Sequence, residues 1–202
     1  MFTRTDLPSD PPSPVPAAPP GAAAGDRPAG TRLVGLLLVG AAVSVSLGVY
    51  GRLHTPSGVA VNVAGFSGPQ EAKAWLASLV VVLAVAQVGS AFVMYRGAAG
   101  RRPRWVGPVH RWSGRAAFLV SVPVAVHCLY ALGLQTFDLR VLAHSLAGCA
   151  FYGAFTVKML SLSRTGLPGW LLPVLGGAVF ALLVAVWLTS SFWFFTTIGV
   201  RA

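Results

Sequence analysis

Hydrophobic positions in this chain gather into five long runs, and polar positions fall in the stretches between them. The runs cover about 33–50, 71–95, 111–134, 139–162 and 171–194, the third starting anywhere from Val109 to Trp112. Each has roughly the 18 or more residues a helix needs to cross the hydrocarbon core of a bilayer. The pattern predicts an all-α integral membrane protein. It consists of a five-transmembrane-helix bundle over 32–202 behind a tail over 1–31.

The punctuation between the runs sharpens this. The tail is rich in Pro, Ala and Gly, with too little large apolar surface to offset its ordering entropy, so it is expected to be disordered and partly polyproline II. The first run is too long for a typical signal-peptide core, which keeps it as a membrane helix. The next stretch, Gly51 to Gln70, is long for a connection and is expected to fold over the bundle as a cap, with His54 as a solvated loop histidine. Glu71 complements the dipole of the second helix at its first turn. Gln87, Gly89 and Ser90 mark the side of that helix turned toward its neighbours. Pro123 should kink the third helix one turn before His127. Asp138 is the N-cap expected for the fourth, and the SFWFF segment closes the fifth with an interfacial aromatic cluster.

Composition agrees with the membrane assignment and removes a rival. Of 202 residues, 55% are hydrophobic and only 10% charged, against the roughly 25% charged usual for soluble domains. A net charge of +10 would suit nucleic acid, but no nucleic-acid partner is expected, because the arginines cluster in one loop between apolar runs. Arg96, Arg101, Arg102, Arg104, Arg111 and Arg115 lie there, flanked by Trp105 and Trp112, whereas the opposite loops hold only Arg52, Lys73 and Arg140. By the positive-inside bias the arginine loop faces the cytoplasm, with the N-terminus inside and the C-terminus outside a bacterial plasma membrane. Cys128 and Cys149 sit at different depths measured from the turn at Gln135–Asp138, so no disulfide joins them.

Three of the four histidines, His110, His127 and His144, lie on the third and fourth helices. His127 precedes the midpoint of the turn by about eight residues and His144 follows it by about eight, which puts both roughly 10–12 Å below it. Ionisable groups in a membrane interior mark functional sites. Two imidazoles level with each other suit the axial ligands of a b-type haem. Around them, Gly148 is one turn inward of His144 and leaves room for a porphyrin, with further space at Ala147 and Gly153. Arg140, one turn outward, can meet a propionate, and Tyr130 is one turn outward of His127. His110 is about 17 residues from His127, roughly 25 Å across the membrane, and belongs to an inner site with Met94 at similar depth or to the interface. The competing reading has the histidines hydrogen-bonding between helices, Arg140 and Lys158 snorkelling to lipid, and the glycines serving close packing.

The segments VHRWSGRAAF, VHCLY and VLAHSLAG resemble the cytochrome b561 and ferric-reductase-like group of small membrane b-type cytochromes. They are closer still to bacterial multi-pass membrane proteins that share an HRWSGR…HSLAG core. The resemblance implies His110, His127 and His144 as haem ligands, although two haems need four. The expected function is therefore electron transfer by a membrane-embedded haem b protein, a membrane oxidoreductase or one of its subunits. A redox partner protein or a quinone would exchange electrons with it. The alternatives are a haem-free structural or assembly subunit and, third, a small-solute transporter.

Overall fold

The computed structural model describes residues 29–59, 65–97 and 103–200, so the Pro-rich tail lies outside the described residues apart from Ala29 to Thr31. Five helices are long and apolar enough to cross a membrane: α1 (Ala29–Leu53), α2 (Pro69–Arg96), α3 (Val106–Leu132), α4 (Leu139–Leu162) and α5 (Leu171–Thr197). The molecule is a multi-pass membrane protein. Its apolar residues are not confined to one stripe. Leu38, Val45, Val82 and Leu119 are all exposed at mid-helix, where lipid replaces water as the solvent.

The helices start and stop where local chemistry directs. Pro69 opens α2 at a position whose N–H has no helical partner to lose, with Glu71 in the same turn. The Asp138 carboxylate accepts the Val141 N–H at 2.8 Å, the expected cap, a contact worth about 1 kcal/mol. The helix α3 ends at Gly133, whose φ of +70° an L side chain rarely adopts.

Two helices change pitch. Pro123 has no N–H to donate to the α3 ladder, and from His127 to Leu132 the helix widens into π turns. The pitch change begins at His127, one turn after Pro123. A second π segment, Leu188–Phe192, interrupts α5 before Trp193–Thr197 resumes it. There the Ser190 and Thr189 hydroxyls donate back to Val186 O (2.7 Å) and Ala185 O (2.7 Å), competing with the backbone ladder.

Packing follows the small residues. α1 lies along α4, where Gly40 and Gly153 let the backbones meet: a Cβ built on Gly40 would stand 2.8 Å from Gly153 O. α4 also packs along α5, α2 along α3, and α2 touches α5. α1 reaches the end of α3, where the Leu134 N–H donates to Gly51 O at 2.6 Å. Around the ring the order is therefore α1, α4, α5, α2, α3. The sequence neighbours α3 and α4 meet through side chains: the Ser121 and Tyr152 hydroxyls are 3.0 Å apart, and Phe118 stacks on Phe155 at 4.6 Å. Below this floor and at its level the core is solid, with Val80, Ala84, Phe151 and Leu183 in one cluster and Leu36, Val157, Leu171 and Leu175 in another.

Candidate functional site

Above the floor, the space between α3 and α4 opens into a cavity of about 510 Å³, walled by all five helices in the half of the bundle remote from the arginine loop. Its volume is in the range of small-molecule and cofactor sites. Val80, Phe151 and Leu183 form part of its apolar lining, and Trp193 and Phe194 reach it from the end of α5. The closing aromatic segment is therefore more than an interfacial belt. A cleft of about 320 Å³ between α1 and α3 shares Leu47, Ala125, Leu129 and Tyr152 with the cavity.

His144 lines the cavity from α4. Its Nδ1 lies 3.2 Å from Val186 O and 3.2 Å from Thr189 Oγ1, both on α5. A carbonyl can only accept, and the Thr189 hydroxyl already donates to Ala185 O at 2.7 Å, so Nδ1 carries the proton. That leaves the Nε2 lone pair for another partner, the tautomer and outer-shell anchoring found on iron- and zinc-bound imidazoles. Nothing in the sequence signals this anchor, since a backbone carbonyl is available on every helix.

His127 is placed differently. Its neighbours Val124 and Cys128 line the cavity, but His127 itself is outside the lining. Its Nε2 is buried and has no hydrogen-bond partner among the described residues. An orphaned buried nitrogen costs about 1–3 kcal/mol. Cys128 and Cys149 are free thiols, both on the cavity.

The other expected residues divide between the two readings. Gly148 opens on the cavity, and a Cβ there would meet nothing within 4 Å. Gly153 instead packs against Gly40 and Ser44 of α1 and contributes no space to the site. Arg140 lines the cavity and is held to α5, donating to Thr189 O at 2.7 Å with its guanidinium 3.9 Å from the Trp193 ring centroid. This fixed geometry differs from free snorkelling. Tyr130 faces away and stacks on His54 at 5.0 Å.

His54 is not a solvated loop histidine. It is half-buried between Tyr50 and Tyr130, each at 5.0 Å, and Nε2 donates to Tyr130 O at 3.2 Å. The Ser57 and Gly58 N–H groups donate to Tyr130 O and Ala131 O, both at 3.2 Å. The first loop thus caps the end of α3, where widened helical turns leave carbonyls without helical donors.

His110 lies outside the cavity, in the half nearer the arginine loop. Ser90 Oγ donates to Ala86 O at 2.7 Å and accepts from His110 Nδ1 at 2.9 Å. Gln87 of α2 donates to Ser113 Oγ at 2.7 Å and to His110 O. Gln87 and Ser90 do face α3, as their polarity implied, whereas Gly89 meets nothing within 4 Å. Among the described residues no group of three or more His, Cys, Asp or Glu is placed to hold a metal ion.

Residues 33–202, which include α2 to α5 and all but the first turn of α1, match the model of a family of unknown function, DUF6529. The chain belongs to that family. No curated protein and no solved structure matches it. The DUF6529 match includes both histidine-bearing walls of the cavity and supplies no cytochrome b561 assignment. The likeness of the HRWSGR…HSLAG core to that group therefore rests on those residues alone.

Proposed function

We propose that this membrane protein binds one b-type haem in the cavity and transfers electrons. The observation that carries the reading is a complementary pair of imidazoles: His144, anchored through Nδ1 with Nε2 left to act as a ligand, and His127, whose buried Nε2 has no partner. His127 and His144 would hold the iron, Gly148 would leave room for the ring, and Arg140 would meet a propionate. His144 lines the cavity, whereas His127 lies outside its lining and would have to move to reach a ring bound there. Bound there, haem would supply a one-electron couple. The protein would exclude water with its apolar walls and fix the ligand tautomer through Val186 and Thr189. A membrane quinone or a partner protein would exchange the electrons.

A second reading keeps one observation of its own. His54, His110 and His144 each hydrogen-bond to another element, as a haem-free structural or assembly subunit would require. An optical spectrum of the detergent-purified protein, oxidised and then dithionite-reduced, separates the two. A sharp reduced α-band with about one haem per chain is expected. Two haems per chain would bring His110 in as a ligand. A colourless protein after expression with ample haem would leave the structural subunit.

We also infer that the arginine-bearing end faces the cytoplasm, given five spans and the charge asymmetry between their ends. A C-terminal alkaline phosphatase fusion is then expected to be active and a C-terminal green-fluorescent-protein fusion dark. The reverse pattern would invert the topology.

A further inference from the structure

Two cations reach the same apolar cavity from opposite helices: Lys73 of α2 and Arg140 of α4. A membrane protein rarely places cations against an apolar interior without anions to meet them. The described residues contain two acids, Glu71 and Asp138, and each is engaged at the start of its own helix. Glu71 folds back over Gly68, where a built Cβ would stand 2.9 Å from its Oε2. Asp138 caps Val141 and lies 3.7 Å from Arg140 Nη2, a long ion pair. Lys73 has no hydrogen bond or ion pair among the described residues. It also sits just past the first turn of α2, where the helix dipole favours an anion over a cation. Arg140 is held in place by Thr189 and Trp193, and its planar fork has more donors than these contacts use.

We propose that Lys73 and Arg140 form a two-cation clamp for the carboxylate end of an amphiphile whose apolar body fills the cavity. A rigid ring with two propionates and a fatty acid with one carboxylate share this chemistry. The first source rests on the haem function proposed above; the second does not. The clamp assigns Lys73 a ligand-binding role. Its only sign in the sequence is a cation just past the first turn of a long apolar helix.

The test titrates purified wild-type and Lys73→Gln proteins with haem and with haem dimethyl ester. Native mass spectrometry follows oleate and methyl oleate on the same samples. Wild-type protein is expected to bind haem about tenfold or more tighter than the diester, a preference of about 1.4 kcal/mol. Lys73→Gln should erase most of that preference. Oleate binding that is lost in Lys73→Gln, with no haem uptake, would uphold the clamp and overturn the haem reading. Equal binding of haem and its diester, with oleate retention equal to that of methyl oleate, would overturn the clamp and leave the haem reading standing. Failure of both haem and oleate to bind would overturn both. If Lys73→Gln does not fold, the acid-against-ester comparison on the wild-type chain decides alone.

Discussion

On the proposed haem function, a His127→Leu chain is expected to take up no haem and yet melt no lower than the haem-free wild type. The two effects come from one atom. His127 Nε2 is buried with no partner, so a leucine removes an unsatisfied polar group without breaking any hydrogen bond. That alone relieves about 1–3 kcal/mol. The same nitrogen is the proposed ligand, so its loss should take the reduced α-band to background. His144→Ala should also abolish the band, but with a lower melting temperature, because it breaks the 3.2 Å contacts to Val186 and Thr189 on α5. Haem content by pyridine haemochrome and thermal melting in detergent read the two quantities separately. A His127→Leu protein that keeps a wild-type spectrum would remove His127 from the ligand set.

The second large effect lies on the same helix as His144 but has nothing to do with the cavity. Gly153→Leu is expected to destabilise the bundle by the upper end of the ~1–3 kcal/mol range for overpacking. The reason is that a Cβ at Gly153 meets the Gly40 carbonyl and the Ser44 hydroxyl, and backbone has nowhere to move. Against a total stability of about 5–15 kcal/mol this is a severe loss. The control is Gly148, where a Cβ meets nothing within 4 Å. Gly148→Leu should leave the melting temperature nearly unchanged and lower haem content by occupying cavity space. Equal melting of Gly153→Leu and wild type would show that α1 and α4 do not approach as closely as described.

These two glycines also show why the site was only partly legible. Both follow His144 on one helix, and spacing alone made both candidates for making room beside a porphyrin. Gly148 does open on the cavity, but Gly153 is turned toward α1. Which face of a helix looks inward depends on where its neighbours stand, and ring order is not written in the hydropathy of any one segment. His54 shows the same limit. Its loop is Gly/Pro-punctuated, yet it caps α3 because the π turns at Tyr130 and Ala131 present carbonyls to it.

By itself the sequence determined the solvent and the number of crossings. Five apolar runs can satisfy their backbone groups in lipid only as helices, and Asp138, Pro69 and Gly133 act locally on the residues beside them. It also marked the histidines as worth weighing, because an imidazole in an apolar run is costly wherever it points. The tertiary structure decided the rest. It set the ring order of the helices, brought Lys73 to the cavity Arg140 also lines, bonded His110 to Ser90, and gave His144 a carbonyl anchor while leaving His127 without one. All of these are relations between helices distant along the chain. They depend on close approach at pairs such as Gly40 and Gly153, a property of two surfaces together and of neither sequence segment alone.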